Sequence, residues 1–315
     1  MSVRPPIVSI LLCTCNRAEH LRQTLIAMRD LEIPDSLPTE LLIVDNASRD
    51  ETPRVVQEVD IPGLTVRYLY EGTPGQATAR NTGMDAAKGD IFLWTDDDVR
   101  PSHKWIEKMC EPLLSGKADG VAGEVRMADY LERPWMEELH CNSLADTRYA
   151  GQETTLTGAN MGFVRKVRDR VPLFDPELGP GALGFMDDYL YSYQLREAGF
   201  TIERVKDAVM SHHFDVSRLQ RRAWLRYTEL AGRSIAYVRY HWNQEPIPKP
   251  RLRRLYWSLS LRLLLASQRP PLEETSEGCP TRELRLRINL AQLDAYEKLV
   301  GTPQKYDRKG LRKKS

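Results

Sequence analysis

Four short apolar runs punctuate the first hundred residues of this 315-residue chain, and a segment of helical spacing follows each one. Residues 7–14, 41–44, 66–70 and 91–95 read as strands. Helices are expected over about residues 18–31, 51–59 and 76–87. Asn16 offers a cap to the first; Ser48 and Asp50 can cap the second, whose first turn tolerates Pro53; Gly89 closes the third. Strand and helix in strict alternation call for a parallel, doubly wound α/β sheet.

The fourth run ends at Thr95 and meets three consecutive carboxylates, Asp96, Asp97 and Asp98. The carboxyl end of such a strand lies on the rim where open α/β sheets bind ligands. Three adjacent negative charges repel one another, and a divalent cation both relieves that repulsion and neutralises phosphate. A solvated acidic turn is the plainer alternative. The other strand ends bring Thr14 with Arg17, Asp45 and Arg80 to the same rim. Asp45 can accept hydrogen bonds from a base, Arg17 and Arg80 can meet phosphate, and a metal on Asp98 can bridge a diphosphate. Singly, Asp45 could merely begin a turn and Arg80 could decorate a helix; together they describe a nucleotide site.

With 45 basic and 44 acidic residues the net charge is +1, which excludes a global nucleic-acid footprint, although residues 251–265 and 305–314 are locally basic. A hydrophobic content of 41% suffices for one large domain or a domain with an extension. Five cysteines (Cys13, Cys15, Cys110, Cys141 and Cys279) are an odd number without metal-ligand spacing. Cys13 and Cys15 should share a strand face as small, buried or half-buried thiols, and free thiols suit a reducing cytoplasm. The N-terminal apolar run is too short for a signal-peptide core, and no segment reaches about 18 apolar residues. A cytoplasmic protein is expected, soluble or at most peripheral to the inner face of a membrane.

The second half is less regular. A helix is expected over 101–114, strands over 120–125, 157–164 and 202–205, and a Gly/Pro-rich loop over 172–183. Residues 126–155 lack a pattern and are expected as a mobile loop. A helix over 187–198 is stopped by Gly199. A long helix over 217–240 precedes a stiff break at Pro246, Pro248 and Pro250, then helices over about 251–267 and 282–299. The charged tail after Thr302 is expected to be disordered.

The pieces VSILLCTCNRAEHL, LLIVDNASRDET, PGQATARNTGMDAAKGD and IFLWTDDDVRPSHKWIEKM, in this order and spacing, resemble successive blocks of the family 2 inverting glycosyltransferases of the GT-A fold. The resemblance spans roughly residues 7–240. A GxGxxG after the first strand is absent, which disfavours a nicotinamide enzyme. The resemblance implies that Asp45 binds the base, that Thr14 and Arg17 begin the nucleotide pocket, and that Arg80 lies near the nucleotide. It matches Asp96-Asp97-Asp98 to the DxD block: Asp96 and Asp97 with the nucleotide sugar, Asp98 on Mg²⁺ or Mn²⁺. Cys15 replaces an aromatic residue often found in that block, so the usual stacking partner of the base is missing.

GFMDDYLYSYQLREAGF resembles the family's "ED" helix. Asp188 takes the place of the catalytic base and Asp187 that of the glutamate, while Gln194 replaces the usual arginine. Inverting transfer needs a carboxylate to accept the acceptor's hydroxyl proton, and two acids at a helix start suit its dipole. Simple N-terminal capping is the alternative role. In TGANMGFVRK the resemblance assigns Asn160 to the pocket lining; in MSHHFDVSRLQ it makes His212 a metal ligand, with His213 as the alternate. Trp105 and Trp224 read as core residues, whereas Trp135 could contact the acceptor. The basic helix RLRRLYWSLSLRLLLASQR either packs on the main domain or meets a membrane near a lipid-linked acceptor.

The expected architecture is a GT-A domain over 1–215, with a nucleotide-sugar half (1–100) and an acceptor half (101–215), followed by a helical extension over 216–315. The expected reaction moves a sugar from a nucleotide diphosphate donor, a UDP-sugar by family frequency, to a hydroxyl of a glycan, a lipid-linked sugar or a small molecule in polysaccharide or glycoconjugate biosynthesis. A nucleotidyltransferase and a non-catalytic sugar-nucleotide-binding protein are the alternatives. The first would carry a Gly-rich N-terminal signature, which ILLCTCNR lacks, and the second would have lost Asp98 or Asp188, which are both present.

Overall fold

The computed structural model describes residues 5–268 and 273–314; residues 1–4, with the single early arginine, lie outside it. The first half follows the expected alternation: β1 Val8–Thr14, α1 Ala18–Met28, β2 Thr39–Asn46, α2 Thr52–Gln57, β3 Thr65–Glu71, α3 Gln76–Ala86 and β4 Ile91–Asp96. It continues through β5 Val99–Pro101, α4 Trp105–Leu114, β6 Gly120–Met127, α5 Glu138–Ser143, β7 Asn160–Val164, α6 Arg165–Arg170, α7 Asp187–Glu197 and β8 Ile202–His212. The C-terminal part holds α8 Arg221–Tyr237, which runs on into a π-helical turn Val238–Asn243, then α9 Pro250–Ser267 and α10 Thr281–Leu299.

One sheet contains all the strands in the order β3-β2-β1-β4-β7-β6-β8-β5. Strands β1 to β4 pair in parallel; β7 is antiparallel to both β4 and β6, and β5 is antiparallel to β8. Alternate residues of β1 face opposite layers. Val8, Ile10 and Leu12 pack with Leu21, Leu25, Met28 and Trp105, while Leu11 and Cys13 pack with Ala77, Met84, Trp94 and Tyr191. Each fully buried Leu or Ile contributes about 2 kcal/mol of transfer free energy, so the doubly covered sheet is a rigid platform for its rim.

Several expectations change. Asn16 does not cap α1: its backbone is left-handed (φ 53°), and Asp50 accepts the Ala18 N–H at 2.9 Å from across the rim. Cys15 is exposed because β1 ends at Thr14, whereas Cys13 is buried. β8 runs seven residues beyond the expected end at 205. Its register against β6 jumps between Gly123 and Glu124, from Val205 to Val209, and the resulting bulge breaks the apolar alternation that marks a strand. Residues 126–155 are not a loose loop: Leu131, His140, Cys141, Leu144 and Asp146 are buried, and the segment contains α5. Trp135 packs edge-on against His140 and Trp224, in a satellite core rather than at a pocket.

The expected disorder of the tail is overturned as well. Tyr306 is buried, and its hydroxyl donates to Asp175 at 2.8 Å; Lys313 Nζ reaches Asp175 and Glu177, each at 2.6 Å. Tyr237 also donates to Asp175 at 2.7 Å. Burial alone would raise the Asp175 carboxyl, but Lys313, Tyr237 and the Glu177 N–H outweigh it and hold it below the ordinary range. A depressed carboxylate stabilises the fold above its unfolded pKa and ceases to do so as pH falls through the folded value. Lys313→Ala removes two hydrogen bonds to carboxylates, together worth about 2–3 kcal/mol once partial exposure is allowed for. A melting point several degrees lower at neutral pH is expected, the difference shrinking in acid. An unchanged melting point, with fast amide exchange across 305–313, would show a tail that is not docked.

Candidate active site

Strand β4 ends in the acidic triplet, and each carboxylate finds a different environment. Asp96 points to the rim, accepts Gln76 Nε2 at 3.2 Å and lies 3.8 Å from Arg80 Nη2. Asp97 turns inward, accepting the Thr14 hydroxyl at 2.7 Å and Arg17 Nη1 at 2.9 Å, while the Thr24 hydroxyl donates to its backbone carbonyl. Asp98 is buried and accepts Arg17 Nη2 at 2.6 Å. Burial raises the Asp96 and Asp97 carboxyls above the ordinary range. Burial acts on Asp98 too, but His212 and Arg17 reverse the shift and hold it far below that range, so Asp98 keeps its charge.

His212 reaches Asp98 because β5, a three-residue strand that the sequence pattern did not disclose, pairs Val99 with His212 on β8. His212 Nε2 lies 3.4 Å from Asp98 Oδ2. Its Nδ1 lies 2.9 Å from the Leu144 carbonyl, which can only accept, so Nδ1 carries a proton. In the neutral ring Nε2 is then a lone pair aimed at a carboxylate oxygen, and two acceptors at that distance need a proton or a cation between them. His213 points elsewhere, toward Ser211 Oγ at 3.0 Å and the Tyr130 hydroxyl at 3.3 Å; burial, Arg100 and His212 lower its pKa to about 4. No group of three or more His, Cys, Asp or Glu side chains arranged for a metal occurs among the described residues.

Across the rim, α7 begins with Asp187 and Asp188 after Met186, which is left-handed at φ 75°. Asp187 is buried and takes an ion pair from Arg80 Nη1. Asp188 is half-buried and accepts the Gly158 N–H at 2.9 Å and the Tyr189 N–H at 2.8 Å. Burial first, then the charge of Asp187, raises its pKa to about 6, against the opposing pull of Arg80 and the two N–H donors. Arg80 is therefore the link: one guanidinium faces Asp96 at the end of β4 and Asp187 beside Asp188, with the Phe174 ring centroid 5.5 Å from its central carbon. Arg80 thus places the acidic end of β4 and the start of α7 in one ion-pair network.

Asn160 is not brought to the rim. It is fully buried, accepts Trp105 Nε1 at 2.8 Å and donates to the Glu124 and Ala208 carbonyls at 3.0 and 2.8 Å, tying β7 to β6 and β8. The neighbour that matters is Gly158, which sequence reasoning passed over. Its N–H holds Asp188, and a Cβ there would sit 1.9 Å from Arg80 Nη2. Only the presence of a glycine two residues before the singled-out asparagine in TGAN hinted at it. Gly179 is a second such position, at φ 81°, where a Cβ would lie 2.8 Å from the Asp187 carboxyl carbon. Asp45 lies at the expected strand end but is wholly buried, capped by the Tyr68 hydroxyl at 2.7 Å and the Ser48 N–H at 2.9 Å. Gln194 replaces the family arginine and donates to the tail carbonyls of Gly310 and Leu311 at 3.4 Å.

A cleft of about 1050 Å³ opens beside Arg17, between Asn16–His20, Asp50, Glu51, the loop at 180–185 and the side chains of Arg218, Arg226 and Leu230. Its size suits a nucleotide sugar or a small acceptor.

Residues 9–171 match the model of glycosyl transferase family 2, just over half of the chain. Glycosyltransferase AglE of Haloferax volcanii is 31% identical over 121 residues, which are 38% of this chain and 40% of that one. Putative glycosyltransferase EpsH of Bacillus subtilis is 28% identical over 115 residues, 36% and 31% of the two chains. The chain thus matches well under half the length of these relatives. Among solved structures, a mannosyltransferase of Pyrobaculum calidifontis in complex with GDP-Man and Mn²⁺ superposes with a TM-score of 0.55 at 18% identity, covering 96% of this chain and 77% of that one. S. aureus TarS 1-349 in complex with UDP superposes at 0.50 and 14% identity, covering 93% and 89%. At these identities the likeness is one of fold. Sheet topology and family match converge: this chain belongs to glycosyl transferase family 2 and has the GT-A fold.

Proposed function

We propose that the enzyme transfers a sugar from a nucleotide diphosphate sugar to an acceptor hydroxyl with inversion, and that Asp188 is the base. The observation that supports this reading is the Arg80 bridge between Asp96 and Asp187, which ties the acidic end of β4 to the start of α7, where Asp188 has a raised pKa. In this reading residues 1–100 hold the donor, 101–215 shape the acceptor side, and 216–315 form a helical extension. Asp96 faces the sugar or ribose. Asp97, turned inward, braces Thr14 and Arg17 instead of touching ligand. Asp45 receives the base once Tyr68 gives way, and the exposed Tyr68 ring supplies the aromatic face that Cys15 lacks. An ionised Asp188 accepts the acceptor's hydroxyl proton as oxygen attacks the anomeric carbon. Arg17 can leave Asp98 for the diphosphate because it is about one-third exposed.

Asp98 and His212 fit a divalent cation: an anionic oxygen and a lone-pair nitrogen face each other, and the ring is fixed by the Leu144 carbonyl. A mixed imidazole and carboxylate set favours Mn²⁺ over Mg²⁺, and one or two protein ligands suffice when phosphates complete the shell. When bound, the ion supplies positive charge against the departing nucleoside diphosphate. The donor is proposed to be a UDP- or GDP-sugar, the two nucleotide types named for the superposed structures. Cytoplasmic residence is proposed from the five free cysteines; no helix among the described residues is long and apolar enough to cross a membrane.

The test is a panel of nucleotide sugars with Mn²⁺. Release of nucleoside diphosphate supports transfer, release of pyrophosphate supports a nucleotidyltransferase, and binding without turnover supports a non-catalytic protein. Asp98→Ala and His212→Ala are each expected to weaken Mn²⁺-dependent binding of UDP or GDP by at least about tenfold, the scale of a disturbed metal shell. Calorimetry showing equal affinity with and without Mn²⁺ in the unsubstituted enzyme would remove the metal from the reading.

A further inference from the structure

Helix α9 stands apart from every other long helix in that none of its residues is buried. It leans on α10, to which Arg254 is tied through Asp294 and, at 2.7 Å, Glu297. Its opposite side carries Leu252, Leu255, Tyr256, Leu259 and Leu263, each between 54% and 65% exposed. At 3.6 residues per turn these five side chains fall within an arc about 100° wide. Arg251 and Arg262 border one edge of the arc and Arg253 the other, and all three are exposed. The sequence from Pro246 to Leu272 contains no Asp or Glu.

We propose that this face docks on an anionic lipid surface, with α9 lying in the plane of the interface. An apolar stripe of this width on a soluble surface demands a cover, and the flanking charges select its chemistry. A second copy of the same face would bring arginines against arginines with no acid to offset them. Anionic headgroups complement both borders while the leucines and Tyr256 enter the acyl boundary, the division of roles in an interfacial helix. The helix is too polar to cross the bilayer. Each of the three arginines adds about a fivefold gain in partitioning near an anionic surface. The inference concerns where the enzyme works and stands whether or not Asp188 is its base.

The experiment is co-sedimentation of the full chain with vesicles of equal parts phosphatidylcholine and phosphatidylglycerol, and with phosphatidylcholine alone. The enzyme is expected to pellet with the first and stay largely in the supernatant with the second. The pair Leu255→Ser/Leu259→Ser and the triple Arg251→Gln/Arg253→Gln/Arg262→Gln should each lose at least about tenfold in partitioning. The triple lysine variant at the same positions should retain it. All are surface changes, so melting point and nucleotide binding should be unaltered. Absence of the parent enzyme from the anionic pellet, or unchanged binding of the serine pair, overturns the proposal. So does a concentration-dependent dimer in sedimentation velocity that the serine pair dissolves, which would assign the face to a second copy.

Discussion

Asp188→Asn is expected to lower turnover about a thousandfold, within the range that general-base catalysis supplies, while leaving donor affinity nearly unchanged. The Asp188 carboxylate accepts from the Gly158 and Tyr189 N–H groups, and it is linked to Asp96 through its neighbour Asp187 and Arg80. Asparagine keeps the size and can still accept one of those two bonds. The parent enzyme should show a rate that falls as pH drops below about 6, because the protonated acid cannot accept a proton. That limb should vanish in the variant. A second readout concerns stability. A carboxyl whose folded pKa is raised takes up a proton on folding, so its ionisation opposes the fold as pH rises through about 6. Asp188→Asn should therefore melt higher than the parent at neutral pH and no higher below the ordinary carboxylate pKa. Turnover within tenfold of the parent, or an acid limb that persists, would take the role of base away from Asp188.

Arg80→Gln is the change expected to damage both fold and chemistry. Arg80 is buried, and its guanidinium neutralises Asp187, which is buried too. Removing one partner of such a pair costs about 3–5 kcal/mol because the other charge is left without compensation. Arg80 also holds down the pKa of Asp188. Its loss should move the acid limb of the rate upward by about one pH unit, equivalent to 1.36 kcal/mol. Gly158→Ala offers a milder version, since the new Cβ would press on Nη2 and push the guanidinium off Asp187. A purely structural role for Arg80 would lower the melting point and leave the pH limb in place, so the limb is the deciding measurement.

Much of the first hundred residues was legible because β1, β2 and β4 are buried along nearly their whole length. Such strands read as unbroken apolar runs, and their ends must carry whatever polar residues serve the rim. Asp45 and the triplet at 96–98 are found there for that reason, while Arg80 reaches the rim from the second turn of α3. The second half was harder to read where local pattern and tertiary pairing part company. The bulge in β8 hid the strand that carries His212, and β5 is too short to leave a periodic signature. Asn160 was misplaced because TGAN says nothing about which way a side chain turns. Trp105, Glu124 and Ala208 decide it, and all three come from other elements. The tail was misjudged for a related reason. Its lysines look solvated in sequence, yet Lys305 and Lys313 find Asp175 and Glu177 more than a hundred residues away.

The amino-acid sequence by itself determined the alternation of strands and helices, the acidic end of β4, the paired acids that start α7 and the basic, apolar-striped helix near the C-terminus. These depend on periodicity and on residues close together along the chain. Tertiary structure alone decided which carboxylates keep their charge, that Arg80 joins the two halves of the rim, that His212 meets Asp98, and that α1 takes its cap from Asp50. Those outcomes turn on burial and on contacts between residues dozens of positions apart, and Coulomb and desolvation terms at a few ångströms have no counterpart in local sequence.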